Sequence, residues 1–213
     1  MSNNAEYRAA IILASKSPRR IRMLKQLDIP FTVVESLVDE ESIAADTPEA
    51  LARALSIAKA DSVSRRYPDH WVIGADSIVS IDGFALNKPS SPSHAREMLT
   101  RLSGRTHRVM TGYAVFRQTI GHRFTDVIIS EVEFKTLRKS EIDWYLGTPE
   151  PYDKAGSYAI QGIGAFMVRR INGSYTNVVG LPLAEVLDHL VSCNALDHLG
   201  SKSPAREGER KGR

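Results

Sequence analysis

The stretch Leu13-Ala14-Ser15-Lys16-Ser17-Pro18-Arg19-Arg20 places two serines, a lysine and two arginines where an apolar run gives way to a helix start. Ser17-Pro18 reads as an N-cap followed by a first-turn proline. Two cations in that turn oppose the helix dipole, which favours negative charge at this end. An anion seated over the turn relieves the conflict, and free N–H groups, hydroxyls and guanidinium forks make a phosphate cradle. The plainer reading is a capped helix with solvated arginines. In Val72-Ile73-Gly74-Ala75-Asp76-Ser77 an acid follows an apolar run and small residues. A carboxylate at such a strand end holds a divalent cation or takes a proton from water. Otherwise it bonds its own backbone in a turn.

The remaining candidates are single groups. Asp39-Glu40-Glu41 contains a possible metal ligand or is a solvent-facing acidic run. Lys59 lies late in a helix, where a cation suits the dipole without any ligand, and Lys88 lies in the loop Asn87-Lys88-Pro89. Each is a point charge for phosphate or is simply solvated. Tyr158-Ala159-Ile160-Gln161-Gly162-Ile163-Gly164 sets Gln161 in a strand-like frame beside two glycines, and an amide reads a nucleobase edge with a donor and an acceptor. No Gly-x-Gly-x-x-Gly, Walker or Gly-x-Ser-x-Gly pattern occurs. The histidines (His70, His94, His107, His122, His189 and His198) show no metal-ligand spacing and no partner cysteine, and Cys193 reads as a core residue.

Around these residues the chain alternates strand and helix signals. Ile11–Ala14 and Phe31–Glu35 read as strands, separated by a helix bearing Ile21, Leu24 and Leu27. Thr47-Pro48-Glu49 opens a longer helix to about Arg66. Trp71–Ser80 is a strand that the Asp82-Gly83 turn folds back into Phe84–Leu86. A helix starts at Ser91-Pro92, and strands follow over about 107–116 and 124–134. Ser140–Asp143 resembles a capping box for the helix Glu141–Leu146. Ile160–Arg170 and Tyr175–Val179 flank Asn172-Gly173 as a second hairpin, and Leu183–Cys193 closes with a helix. The pattern predicts one α/β domain with a mixed sheet and flanking helices.

Composition narrows the class. Of 213 residues, 42% are hydrophobic and 25% charged, as in an ordinary globular protein. No apolar run approaches the roughly 20 residues of a membrane span. A single cysteine excludes an internal disulfide and points to a reducing, cytoplasmic setting. The net charge of +3 is accounted for by Lys202, Arg206, Arg210, Lys211 and Arg213 against Glu207 and Glu209. The basicity therefore belongs to a tail, and no nucleic-acid partner is expected of the folded part. We expect a flexible segment over 1–9, a single domain over 10–198 and a basic disordered tail over 199–213.

Taken in order, several stretches resemble the Maf family: Ala14–Arg20, Val38-Asp39-Glu40, the Lys59 helix, Gly74-Ala75-Asp76-Ser77 and Lys88-Pro89. The resemblance continues through Leu102–His107, Asp153–Tyr158 and Val179–Leu183, covering about residues 10–195. It implies a fold like the inosine triphosphate pyrophosphatases (Maf/Ham1), with two lobes around a cleft. It also implies a homodimer, a divalent cation (Mg²⁺ or Mn²⁺) and hydrolysis of a nucleoside triphosphate to monophosphate and pyrophosphate. On that resemblance Ser15, Arg20, Lys59 and Lys88 bind the triphosphate. Glu40 and Asp76 are the metal and water-activating carboxylates, with Asp76 as general base.

The branch similar to dTTP/UTP pyrophosphatases has a second arginine in the first motif, threonine after the aspartate, and a late Ile-Gln-Gly. The corresponding residues here are Arg19, Ser77 and Gln161, so Ser77 keeps the hydroxyl and lacks a methyl. Lys16 and Asn87 replace glycines common in the family. The 7-methyl-GTP branch carries a bulky aromatic, glutamine and glutamate at those three positions. That substrate, another modified nucleotide, or a regulatory role in septum formation are the alternatives.

Overall fold

A computed structural model describes residues 10–196. The expected flexible start, the basic tail, the domain boundary at 198 and His198 lie outside the described residues. The strands are β1 (Ile11–Leu13), β2 (Phe31–Val33), β3 (Trp71–Ile81), β4 (Phe84–Leu86), β5 (Thr106–Arg117), β6 (His122–Phe134) and β7 (Val168–Asn172). The helices are α1 (Pro18–Lys25), α2 (Pro48–Ser64), α3 (Pro92–Leu102), α4 (Lys139–Leu146), α5 (Tyr175–Val179) and α6 (Leu183–Ser192). All strands join one mixed sheet in the order β2-β1-β3-β5-β6-β7, with β4 paired to β3. Only β1 pairs in parallel, with β2 and β3; the other pairs are antiparallel. The expected mixed α/β fold is present. No helix among the described residues is long and apolar enough to cross a membrane.

This topology creates a gap at one place. The chain leaves β1 toward β2 through α1, then returns over β1 to β3 through α2. Connections diverging on either side of neighbouring strands open a crevice at their carboxyl ends. The β1 pairing stops at Leu13 opposite Ile73. Beyond it β3 runs on with no strand on that side until Val79 meets β4. Residues 74–78 of β3, Asp76 among them, therefore border an opening. Two apolar clusters flank it. Leu13, Ile73 and Leu181 belong to one, Val79, Leu99 and Phe134 to the other, and Ile160 packs against both.

Helix α2 lies close on the sheet because two glycines let it. A β-carbon on Gly112 would stand 2.2 Å from the Ala52 carbonyl oxygen, and one on Gly74 would stand 2.4 Å from that of Ser56. Gly112→Ala is expected to cost about 3 kcal/mol, seen as a lower urea midpoint at unchanged slope. The close approach is also what brings Lys59 of α2 down to Asp76.

His107 supplies a pH dependence. It is fully buried, bonded through Nε2 to the Tyr158 hydroxyl at 2.8 Å and edge-on to Phe134. Burial lowers its pKa from 6.5 to about 4. The unfolded chain takes up a proton below the ordinary histidine value while the folded chain resists until the lower one. Stability is therefore present above this window and falls as pH drops through it, by about 3 kcal/mol in all. His107→Gln is expected to lose that part of the acid sensitivity, measured by urea denaturation above and below the window.

Four local expectations are corrected. Beta-strand structure near Phe31 ends at Val33 instead of Glu35. The box of α4 is set back: Glu141 accepts from the Arg138 backbone N–H at 2.8 Å, so the helix opens at Lys139. The second hairpin is absent. Ile163–Met167 is a short 3-10 turn, and Tyr175–Val179 is helical because the Ser174 hydroxyl accepts from the Asn177 N–H at 3.2 Å. One part of the histidine reading is corrected: two histidines do have a cysteine beside them. His189 and Cys193, one turn apart at the end of α6, meet His122 at the start of β6, with ligand atoms within 4.8 Å of one another.

Candidate active site

The opening beside β3 is a cleft of about 840 Å³. All nine residues singled out in the sequence line it: Ser15, Arg19, Arg20, Glu40, Lys59, Asp76, Ser77, Lys88 and Gln161. Their elements differ, and each reaches the cleft for its own local reason.

Ser15 sits in the turn between β1 and α1, and its Oγ accepts from the Ser17 N–H at 3.1 Å. Ser17 occupies the N-cap position, but its side chain makes no cap bond. The two first-turn arginines resolve their conflict with their own helix by reaching elsewhere. Arg20 Nε donates to the Gly180 carbonyl at 2.6 Å and Arg19 Nε to that of Val179 at 3.3 Å. Both carbonyls lie at the C-terminus of α5, where cations are favoured. Arg20 also donates to the Ser15 hydroxyl at 3.4 Å and the Ser77 hydroxyl at 3.1 Å. A guanidinium has five N–H donors, so these bonds fix its plane and leave donors facing the cleft. Burial lowers the pKa of Arg20 and of Arg19; Asp76 and Glu40 counter it at Arg20, and Asp153 at Arg19. Neither shift threatens the charge of an arginine at ordinary pH.

Ser77 is itself braced. Its hydroxyl lies 2.8 Å from that of Thr111, which donates to the Asn177 carbonyl at 3.0 Å. Asn177 is buried, and its amide donates to the Val109 carbonyl at 3.1 Å and the Ser130 hydroxyl at 2.9 Å. A chain of short polar side chains thus ties α5, and the carbonyls holding both arginines, to β5 and β6. Sequence reasoning missed Thr111 and Asn177. Asn177 lies in Tyr175–Val179, which reads as strand, and its only signal was the Ser174 cap.

In the same cleft two carboxylates converge on one cation. Lys59 Nζ bonds Asp76 Oδ1 and lies 2.8 Å from Glu40 Oε1. Lys59 and Asp76 are largely buried, whereas Glu40 is half exposed, in a short turn capped by Asp39. Burial works against the Glu40 charge, but Lys59, then Lys88 and Arg20, outweigh it and hold its carboxyl below the ordinary range. Hard oxygen ligands of this kind suit Mg²⁺ or Mn²⁺. The ammonium already lying between them shows that the oxygens can share one positive centre.

Gln161 comes in on a turn instead of a strand. Glu150 holds that turn from behind: it accepts from the Ile163 N–H at 2.9 Å, the Gly164 N–H at 2.7 Å and the Tyr145 hydroxyl at 2.9 Å. A β-carbon on Gly162 would stand 1.8 Å from a Glu150 oxygen, so a side chain there would have to displace the carboxylate that holds the turn. Gln161 itself is exposed on the cleft rim. Asp153 and Lys154, bonded to each other, also line the cleft, as does Lys16, which pairs with Glu35. Among the described residues, Arg19, Arg20 and Lys88 have no carboxylate partner within ion-pair distance. The cleft therefore offers guanidinium and ammonium groups outside direct ion pairs, close to a carboxylate pair. That is a receptor for a polyanion beside a base and a cation site.

Known proteins are similar to this chain. A profile for the family described as "Maf-like protein" matches residues 10–193. A protein named dTTP/UTP pyrophosphatase from Syntrophus aciditrophicus (strain SB) is 47% identical over 192 residues, 90% of this chain and 94% of its own. Another of that name, from Syntrophotalea carbinolica, is 45% identical over 206 residues, 95% of this chain and 94% of its own. Among solved structures, the Ham1 protein of Staphylococcus aureus aligns with a TM-score of 0.40 at 15% identity, over 59% of this chain and 71% of that one. The profile and the full-length relatives establish that this chain belongs to the Maf family.

Proposed function

We infer that the chain hydrolyses dTTP and UTP to the nucleoside monophosphate and pyrophosphate. The observation that carries this reading is the cleft itself, where Asp76 and Glu40 share Lys59 and Arg19 and Arg20 line the same cavity. The names of relatives about 45% identical over nearly the whole chain supply the substrate.

A triphosphate brings roughly four negative charges, which repel a carboxylate base unless positive charge offsets them. Arg20 and Lys88, with Ser15, grip the phosphates, and Arg20 does so from a plane already fixed by Gly180 and Ser77. Asp76 accepts the proton of the attacking water while Lys59 holds its carboxylate in place. Asp76 and Glu40 are the residues that would hold a divalent cation, which would supply further charge neutralisation and make water easier to deprotonate. Water attacks the α-phosphorus, the bond to the bridging oxygen breaks, and pyrophosphate leaves with the bonding pair. Gln161 on the rim reads the base, and Arg19 and Ser77 are the other branch-specific positions. A homodimer and a cytoplasmic setting belong to the same reading, from the family resemblance and the lone cysteine respectively; sedimentation of the purified chain tests the dimer.

The experiment is pyrophosphate release from a panel of triphosphates with Mg²⁺ or Mn²⁺. Release from dTTP and UTP above the purine nucleotides is expected. Preference for 7-methyl-GTP would move the chain to the other branch, and no release from any triphosphate would end the enzymatic reading.

A further inference from the structure

We propose that His122, His189 and Cys193 form a binding site for one zinc-class divalent transition-metal ion, at the opposite end of the sheet from the cleft. The distance follows from register. Asp76 pairs with Gly112, which pairs with Val127. His122 lies five residues before Val127 on β6, about 17 Å along a strand rising about 3.4 Å per residue. The two sites therefore share no residue.

Two imidazoles and a thiol are the donor set that selects zinc over magnesium, while the cleft offers only hard oxygens. The geometry is close to what coordination needs. His122 Nε2 and His189 Nε2 face each other at 2.9 Å, and the cysteine sulfur completes a group whose ligand atoms all lie within 4.8 Å. Around a tetrahedral zinc, with Zn–N about 2.0–2.1 Å and Zn–S about 2.3 Å, nitrogens stand about 3.3 Å apart and nitrogen and sulfur about 3.6 Å. Small ring shifts are enough to reach that arrangement.

The rings are held ready for it. His189 stacks on Phe124 with centroids 3.8 Å apart, and His122 meets the Trp71 ring edge-on at 4.9 Å. All three ligand residues are half-buried, which leaves one side of the group open for a water as fourth ligand. Burial favours the neutral, ligating form of both imidazoles, and the neighbouring His122 adds to this at His189. Burial also keeps the thiol protonated, so binding must release its proton and weakens as pH falls. Without metal, the two histidines share a single N–H···N hydrogen bond, and the cysteine thiol donates weakly to the Leu190 carbonyl at 3.5 Å.

Cys193 is the only cysteine in the sequence, so any thiolate-to-metal band reports on this site alone. The test is cobalt titration of the full-length chain after reduction and removal of metals by a chelator. The expected result is near-ultraviolet thiolate-to-cobalt absorption saturating at one equivalent and displaced by zinc. It should be absent in Cys193→Ser and shifted to at least about tenfold weaker binding in His189→Ala and His122→Ala. It should persist in Asp76→Asn, which separates it from the cleft. Wild-type protein with no such band at saturating cobalt would overturn the proposal, because it does not depend on whether a variant folds. A band unchanged in both histidine variants would overturn it too, leaving a thiol that binds cobalt unaided.

Discussion

Asp76→Asn is expected to lower kcat for dTTP hydrolysis by about three orders of magnitude, with a much smaller change in KM. The reason is that one carboxylate serves two purposes. As general base it contributes on the order of 10²–10⁴ in rate, and with Glu40 it forms the proposed cation site. Asparagine keeps the volume and loses the negative charge. Substrate binding depends mainly on Arg19, Arg20 and Lys88, which the substitution leaves in place, so it is largely spared. Lys59 remains paired with Glu40 at 2.8 Å, which keeps its buried ammonium from being stranded. Steady-state kinetics read beside thermal unfolding separates lost chemistry from lost fold. A variant that unfolds normally and retains full kcat would remove Asp76 from the reaction.

Arg20→Lys is expected to lower kcat/KM by about 10²–10³, although the charge is kept. The side chain is nearly buried, and its guanidinium simultaneously donates to Gly180, Ser15 and Ser77. A lysine has a single nitrogen at the end of a flexible stem and cannot hold those directions while presenting donors to a phosphate. Loss of hydrogen bonds from a charged group costs about 1.5–3 kcal/mol each, and about 1.4 kcal/mol corresponds to a factor of ten. The effect should appear at every triphosphate alike, because Arg20 is placed to grip phosphate and not base. A large change in the ratio of dTTP to GTP turnover, with phosphate grip intact, would contradict that role.

The sequence made the phosphate-facing half of the cleft readable because its signals are local. A proline after Ser17, arginines in a first turn and a carboxylate after Gly74-Ala75 are each visible within a few residues, and the fold places them together. The other half depends on contacts between distant segments. Gln161 looks strand-borne because Ile160 and Ile163 flank it, yet Glu150 gathers the following N–H groups and bends the segment into a turn. Tyr175–Val179 has the composition of a strand, but Asn177 is anchored to β5 and β6 and the Ser174 cap starts a helix. There tertiary hydrogen bonds outweigh local propensity. The His122, His189 and Cys193 group was hidden for a similar reason. Its two helical members are four apart, which is readable, but the third is supplied by sheet register.

The charge arrangement of the cleft also explains why Lys59 matters beyond its charge. It is the residue that lets two carboxylates approach each other before any substrate arrives, and Gly74 and Gly112 allow α2 to bring it there. Packing of the helix against the sheet and preparation of the site are thus a single structural feature. Stability lost at Gly112 should therefore be accompanied by lost activity even in the fraction that remains folded.

The central claim is that water, activated at Asp76, attacks the α-phosphorus. Hydrolysis of dTTP in heavy-oxygen water, followed by mass spectrometry of both products, tests it most directly. The account predicts one labelled oxygen in the nucleoside monophosphate and none in the pyrophosphate. Label in the pyrophosphate, or a nucleoside diphosphate with inorganic phosphate as the products, would contradict it.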